Sequence, residues 1–581
     1  MAKCDLVLLH APSVYDFRKK TILHGPVSDL VPPSPVFEMY PIGLASIAEY
    51  LERSGYRVRI VNLAVRMLKD KNFDAEAFIR RLRSPVFGID LHWLVHAHGA
   101  IEIARLVKQC HPQAKLVMGG IASSYFYREL LEYWEIDYVI RGDSTEEPLR
   151  QLMDSLKTRQ SPEAVPNLVW RDGKGNISEN PFSHVPDDLS PVMVNHYAGI
   201  LRSVIRHLDF ASILPTSGWM RYPITATLTC RGCTQKCVTC GGSRDSYKNI
   251  LNRKQTAYRS PKQVARDIKD IAGFSNGPIF VLGDISQQGQ EYADELLGLI
   301  SKNRVKNRLI FELFRPDSTD LLRKISLASP GFCLEISPDT HDPEVRRAAG
   351  KNYSNEELEQ TISDAIGAGC GQIHLYFMIG LPKQTPESVM ETIEYCGYLM
   401  NKFKDYKGLS LFISPLAPFL DPGSLAFEQP ERYGYRILFR TLEEHCQALE
   451  APSWRYTLNY ETEWMTRQQI MDTTYEALLR LNQLKEIYGI ISTEAAGRQE
   501  WRIMAAMELE RRISEIWEGD SRHELESLKA MVDRINTFRA SERGELELPI
   551  GLIKLKFLRP LWWSLLTARR ESELYNGRKP R

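Results

Sequence analysis

The chain is 581 residues long, with 74 Lys+Arg against 73 Asp+Glu, a formal charge of +1 and 43% hydrophobic residues. That length allows three or four domains, while near-neutrality removes any whole-chain electrostatic case for nucleic acid. No run of about 18 apolar residues suggests a membrane span and nothing at the N-terminus resembles a secretory signal, so a reducing, cytoplasmic location is expected for the ten cysteines.

Residues 1–155 alternate short apolar runs with helix-compatible stretches. Strands are expected at Asp5–Leu9, Arg57–Val61, Val86–Ile89, Leu116–Met118 and Asp137–Ile140. Leu44, Ile47, Ala48 and Leu51 recur at helical spacing, and that helix stops at Ser54-Gly55. Strands in this order without G-x-G-x-x-G favour a flavodoxin-like, doubly wound α/β sheet, whose ligands sit at the carboxyl ends of the strands. Gly119-Gly120 follows the fourth strand, where bare backbone lets a flat or bulky ligand approach. Arg141-Gly142-Asp143 follows the fifth, and His92-Trp93 lies in the loop after the third. His96 and His98 read as ordinary helix or loop residues.

Residues 156–215 read as a linker. Asn167–Trp170, Asp172-Gly-Lys-Gly and Asn176-Ile-Ser form a small hairpin, and a turn-rich extended segment follows. Residues 216–430 alternate again, with strands expected at Ile224–Leu228, Pro278–Leu282, Leu309–Phe314, Cys333–Ser337, Ile373–Ile379 and Leu409–Ser414. These fit a partial (β/α)6 barrel of TIM type, with its chemistry at the carboxyl ends of the strands. Ser260-Pro261, Ser354-x-x-Glu357 and Thr385-Pro386 mark helix starts. Residues 431–581 read as mainly helical, with one stripe from Ile470 to Tyr488 and another helix from Trp501 to Trp517. The aromatic stretch Trp454–Trp464 either packs or caps the barrel mouth beside a substrate. Leu561–Leu566 reads as a hydrophobic docking segment and 569–581 as a frayed basic tail.

The loop after the first barrel strand is Cys230-Arg-Gly-Cys233-Thr-Gln-Lys-Cys237-Val-Thr-Cys240. A closed structural zinc site takes four thiolates, and Cys230 makes that reading possible. The two C-x2-C pairs would then be far closer than the roughly dozen residues usual between zinc knuckles. An iron-sulfur cluster held only by Cys233, Cys237 and Cys240 would instead keep one iron open to a small molecule.

That triplet, following Ile224-Thr-Ala-Thr-Leu228, resembles the cluster motif of radical S-adenosylmethionine (SAM) enzymes, with Thr239 where the family usually has an aromatic residue. Residues 35–150, with Tyr40-Pro41-Ile42-Gly43-Leu44, Val117-Met118-Gly119-Gly120 and Tyr138-Val-Ile-Arg141-Gly142-Asp143, resemble the cobalamin-binding domain of cobalamin-dependent radical SAM enzymes, class B methyltransferase-like. The resemblance covers residues 1–430. It implies a 4Fe-4S cluster on Cys233, Cys237 and Cys240, with SAM near Gly283, Asp284, Arg315, Glu335 and Ser337. It implies cobalamin near Pro41, Gly43, His92, Trp93, Gly119, Gly120 and Gly142. Asp90-Leu-His92 matches only the first half of the D-x-H-x-x-G motif of methionine-synthase-type domains and follows a different strand, so histidine ligation of cobalt is not expected. Gly380-Leu-Pro382, Thr385 and Lys351 occupy family positions without an assigned role, and no catalytic residue is assigned.

The function so implied uses one SAM to methylate cob(I)alamin and a second to generate a 5'-deoxyadenosyl radical. The radical takes hydrogen from an unactivated carbon of a small-molecule or peptide substrate, and the substrate radical then takes the methyl group. An electron donor such as flavodoxin or ferredoxin is implied. The alternatives are oxidation, cyclisation or rearrangement with the same cofactors, or a non-catalytic cobalamin-sensing protein.

Overall fold

The computed structural model describes residues 3–26, 36–172, 175–194, 197–519, 522–537 and 543–548. The docking segment at 561–566, the basic tail and residues 173–174 of the hairpin turn lie outside the described residues.

Strands β1 (Leu6–His10), β2 (Val58–Asn62), β3 (Val86–Asp90) and β5 (Tyr138–Ile140) are buried along their whole length, and β4 (Lys115–Gly119) through its middle. This is the pattern of parallel strands covered on both faces. They pair in the order β2-β1-β3-β4-β5, all parallel, as a flavodoxin-like sheet does. Helices Ala75–Arg80 and Ala97–Cys110 bury their apolar stripes on one face, and Ile42–Arg53 and Glu146–Thr158 on the other.

The hairpin expected in the linker belongs to this sheet. Its strands β6 (Leu168–Arg171) and β7 (Ile177–Glu179) add antiparallel to β5, giving seven strands. The cause is side-chain alternation: Leu168 and Trp170 join the core on one face and Val169 the core on the other.

A second sheet follows. After β8 (Thr225–Leu228), the short β9 (Cys230–Arg231) pairs antiparallel with β10 (Ala257–Tyr258). Then β11 (Ile279–Leu282), β12 (Leu309–Leu313), β13 (Cys333–Asp339), β14 (Gln372–Ile379) and β15 (Leu409–Pro415) lie parallel in sequence order beside β8. This is an open, six-stranded partial barrel. Capping boxes begin the intervening helices at Ser260, Ser354 and Thr385. Leu309, Phe311, Leu313, Leu334, Ile336, Ile373 and Leu375 alternate outward into the helical layer. The opposite parity points Glu312, Glu335, His374 and Ser410 inward, and strand register sets them side by side.

Helix Arg467–Ile487 packs against Pro386–Lys402 and β15, and Thr493–Glu518 packs against it in turn. The first of these helices thus lies against β15, the outermost strand of the sheet. Within the aromatic stretch, Trp454 is 3% exposed and Tyr460 0%. The Trp454 indole N–H donates to the Tyr475 hydroxyl at 3.0 Å, and the Tyr460 ring lies against Gly380, which has no side chain. These aromatics therefore pack as core. Leu548 packs with Ile310 and Cys333 near the strand starts, and its N–H donates to the Tyr222 hydroxyl. No helix among the described residues is long and apolar enough to cross a membrane.

Candidate functional site

The cysteine loop leaves the carboxyl end of β8 and is gripped by backbone hydrogen bonds on several sides. Val238 N–H donates to Ala349 O at 3.0 Å, Arg244 N–H to Gln235 O at 2.9 Å, and Ala426 N–H to Val238 O at 2.8 Å. Gly241 N–H donates to the Asp421 carboxylate at 2.9 Å. Gly350, at φ +96°, lets the chain after β13 press on this loop: a Cβ there would stand 2.5 Å from Lys236 O.

Cys230 differs from the other three. It lies on β9, buried, with its sulfur against the bare Cα of Gly283. Cys233 and Cys237 are half-buried and Cys240 is exposed. One zinc ion with sulfur ligands at about 2.3 Å draws those sulfurs to roughly 3.8 Å of one another. Among the described residues, the one set of metal-capable atoms converging within 4.8 Å is His10, Asp90 and His92, and no cysteine belongs to it. The thiol chemistry on an open loop fits a larger cluster better than a closed zinc knuckle. Burial pushes the Cys233 thiol up to about 11, with Cys237 and Asp284 adding to the effect.

Beside this loop, at the carboxyl ends of β11, β12 and β13, lies a cavity of about 560 Å³. Its volume is in the range of about 300–1,000 Å³ common for small-molecule sites. Thr234 and Lys236 of the loop line it together with Asp284, Arg315, Lys351 and Tyr353. Acid and base in one lining suit a ligand carrying both an ammonium and a carboxylate. Asp284 is 2% exposed and already accepts from Ser286 N–H at 2.8 Å and Phe314 N–H at 2.9 Å. Burial raises its pKa against those donors. Burial opposes the charge on Lys351, but Asp339, Tyr353 and Cys237 more than offset it and hold the ammonium up to about 12. Its Nζ donates to Asp339 at 2.8 Å and to Ser337 O, so Ser337 meets the site through its carbonyl. Glu335 instead points into the barrel, with His374 Nδ1 3.6 Å away.

Glu312 is a residue that sequence reading missed. Its carboxylate accepts the Gly283 N–H at 2.8 Å, bracing the turn that carries Asp284. Burial pushes its carboxyl up to about 7, with Glu335 and Asp284 adding repulsion. The available signal was an acidic residue at an inward position of an apolar strand.

At the carboxyl edge of the first sheet, β1 and β3 end in His10 and Asp90, and His92 follows. His10 Nδ1 lies 3.0 Å from Asp90 Oδ1, and His92 Nδ1 lies 2.7 Å from Asp90 Oδ2. Burial works against the charge on Asp90, but the two imidazoles hold its carboxyl well below the usual carboxylate range. Gly43 has nothing within 4 Å of its Cβ position and Gly119 almost nothing, while Pro41, His92 and Trp93 are half-buried. These residues leave room for a bulky ligand over the strand ends. Gly120 has a different reason to be bare: a Cβ there would stand 2.6 Å from His92 Cα, so its own chain fills that space. Gly142 is buried beneath Phe182 and donates its N–H to Ser124 Oγ at 2.8 Å.

Two buried ion pairs join this edge to the second domain, one from the cysteine loop and one from the chain just before β10. Arg231, between Cys230 and Cys233, donates Nη1–H to Glu146 at 3.0 Å and to Ser144 Oγ at 2.9 Å. Arg253 pairs with Asp143 and also donates to Ser144 at 3.2 Å. The two candidate ligand sites are therefore held against each other by the same short segment, 143–146.

Comparison with known proteins follows the same division. Residues 34–151 match the B12 binding domain family and residues 227–396 the radical SAM superfamily. Hopanoid C-3 methylase of Methylococcus capsulatus is 24% identical over 297 residues, 48% of this chain and 50% of that protein. Cytidylyl-2-hydroxyethylphosphonate methyltransferase of Streptomyces wedmorensis is 24% identical over 236 residues, 35% of this chain and 43% of that protein. The chain spans half or less of the length of these curated relatives. The structure of the radical SAM methyltransferase TsrM from Kitasatospora setae, with cobalamin and a 4Fe-4S cluster bound, shares a TM-score of 0.53 at 17% identity, over 75% of this chain and 81% of that one. The cobalamin-dependent SAM radical enzyme OxsB with aqua-cobalamin bound gives 0.51 at 11% identity, over 92% of this chain and 72% of that one. At these identities the two structures share the fold with this chain.

Proposed function

We propose, on the premise that the chain couples a B12 binding domain to a radical SAM domain, that it is a cobalamin-dependent radical SAM enzyme that methylates an unactivated carbon. The observation that carries this reading is the fixed juxtaposition of the two edges: Arg231 of the cysteine loop and Arg253, just before β10, are both anchored to the strand-end segment Asp143–Glu146. When bound, the cluster with SAM supplies a carbon-centred radical, and cobalamin supplies a transferable methyl group.

The chain's own part is to bind and to orient. Cys233, Cys237 and Cys240 would hold the cluster and leave one iron open. Arg315 and Lys351 would draw the SAM carboxylate into the cavity while Asp284 faces its ammonium. Glu312 keeps the Gly283-Asp284 turn in place. Pro41, Gly43, Trp93 and Gly119 would border the corrin. The buried Arg231–Glu146 and Arg253–Asp143 pairs keep the two groups at a constant separation, as transfer between them requires. A one-electron donor must also reach the cluster.

The test is an anaerobic assay of iron-reconstituted protein with hydroxocobalamin, SAM and a strong reductant, following 5'-deoxyadenosine and S-adenosylhomocysteine, with Cys233→Ala as control. Both products, with deoxyadenosine absent from the variant, support the methyltransferase reading. Deoxyadenosine alone points to oxidation or rearrangement. Neither product from protein loaded with both cofactors overturns the enzyme reading.

A further inference from the structure

Strands β8 and β11–β15 line the partial barrel, and none of them carries a lysine or an arginine. The inward level that holds Glu312, Glu335, His374 and Ser410 continues through strand register to Leu282 and Leu228. One half of that level is therefore apolar and the other offers acceptors. The level beneath it, with Phe280, Ile310 and Cys333, is apolar and packs on Leu548. Although they face inward, Leu228, Leu282, Glu312 and Tyr376 are only half-buried, and the Glu335 side chain is 23% exposed. The side chains thus leave room at this level. None of Glu312, Glu335 and His374 lines the cavity at the strand carboxyl ends.

His374 is 2% exposed, and neither of its ring nitrogens has a hydrogen-bond partner. Nδ1 stands 3.6 Å from Glu335 Oε1, too far for a hydrogen bond. Phe412 and Tyr376 meet the ring edge-on, 5.8 Å and 6.5 Å away between centroids. A buried polar group without a partner costs about 1–3 kcal/mol, and a ligand that supplies the partner recovers that cost. Glu312 accepts the Gly283 N–H through Oε2 and has Oε1 for a ligand. Burial, and then Glu335 across the strand gap, raise the Glu312 carboxyl to about 7. A cation between the two carboxylates relieves that repulsion. Two carboxylates and one imidazole nitrogen give three acceptors at one level, which matches the three N–H donors of a primary ammonium group. A hydroxyl has one donor, and an added carboxylate would increase the repulsion.

We propose that the inner wall formed by Glu312, Glu335 and His374 binds a primary ammonium group of the substrate, whose apolar part rests on Leu228, Leu282 and the stacked Tyr376–Phe412 pair. The inference rests on the enzyme reading above and gives its substrate a chemical class, a primary amine with an apolar body. His374 acts here as an acceptor that completes the ammonium site, and no bond to carbon forms or breaks at these three residues.

The test titrates n-hexylammonium, 1-hexanol and hexanoate into the full, iron-reconstituted chain without SAM, by isothermal titration calorimetry. The expected result is one saturable site for the ammonium, with the alcohol and the acid weaker by about 10-fold or more. His374→Phe and Glu335→Gln should each weaken the ammonium by about 10-fold, the loss of one hydrogen bond to a charged group. The order of the three head groups is read on the wild-type chain, so it holds even where a variant folds poorly. Equal affinities, no saturable site, or an ammonium affinity unchanged in both variants overturns the proposal. One-for-one displacement of hexylammonium by SAM would assign the three acceptors to SAM and overturn it too. Formation of 5'-deoxyadenosine from SAM and reductant is followed in parallel. Where it forms, each of those results leaves the enzyme reading standing; its absence from protein loaded with both cofactors overturns that reading and the inference with it.

Discussion

Arg253 Nη2 donates to Asp143 Oδ1 at 2.9 Å across the boundary between the two sheets, with the side chains 1% and 7% exposed. Removing one partner of such a pair strands the other charge away from water, at a cost of about 3–5 kcal/mol. Asp143→Ala should lower the unfolding midpoint of the full chain accordingly and speed proteolysis between residues 156 and 215. Arg511→Ala, which breaks pairs on an exposed helix face, should cost less than about 1 kcal/mol. Equal effects in the two variants would show that the buried pair does not hold the sheets together.

The cysteines should divide three to one. Cys233→Ala, Cys237→Ala and Cys240→Ala each remove a thiolate from the open loop, so iron and sulfide bound after anaerobic reconstitution should fall to a small fraction of the wild-type content. Cys230→Ala removes a buried sulfur that packs on Gly283 and should keep its iron. Iron content measured beside absorbance near 400 nm checks this, and a fourfold-equivalent loss in Cys230→Ala would return the zinc-knuckle or four-ligand reading.

Much of the architecture was legible because its strands are local apolar runs. The parallel strands of both sheets lie within a residue or two of where apolar periodicity puts them, and Ser260, Ser354 and Thr385 mark helix starts by side-chain chemistry that acts within four residues. The sequence shows the β6–β7 hairpin but not its place in the first sheet, because its pairing partner, β5, lies some thirty residues earlier and edge addition leaves no local signal. The candidate site divides in the same way. Cys233, Cys237 and Cys240 announce themselves by spacing, and the carboxyl-end loops follow from strand order. Arg231, Arg253 and Glu146 do not, since only tertiary packing tells a buried interdomain arginine from a solvated one. At Gly120 the need for glycine has a second cause that the sequence does not show, since the Cβ direction is taken by the His92 backbone.

Gly350→Ala should loosen the cysteine loop without unfolding the barrel. The new Cβ would meet Lys236 O at 2.5 Å, at a φ of +96° that a non-glycine residue adopts only under strain, of about 1–3 kcal/mol. The turn or the loop must shift, and Cys237 is the residue next to the clash. Reconstituted iron should then leak several-fold faster on desalting, while far-ultraviolet circular dichroism stays unchanged. Gly298→Ala, where nothing lies within 4 Å, is the matched control and should retain iron like the wild type.

Glu312 should contribute a negative slope of stability against pH through the weakly acidic range, opposite in sign to the buried histidines His24, His207 and His445, whose pKa burial lowers. The Glu312 carboxyl is pushed up to about 7 by burial, above its unfolded value of about 4.3, so the folded chain binds more protons than the unfolded one between those limits. The slope of stability against pH is then negative: the group costs nothing below the unfolded pKa, and its cost grows until pH passes the folded value. The full effect is on the order of 3 kcal/mol, less whatever solvent screening removes. Glu510, buried beside Ser453 and Tyr475 and also pushed up to about 7, should contribute a similar slope. Glu312→Gln should therefore make the change in unfolding midpoint between about pH 5 and 7.5 more positive than in the wild type, and Glu312→Gln with Glu510→Gln more positive still. An unchanged slope in both would mean that Glu312 stays ionised against the Gly283 amide at neutral pH, and that its role in bracing the Asp284 turn is carried by a charged rather than a neutral carboxyl.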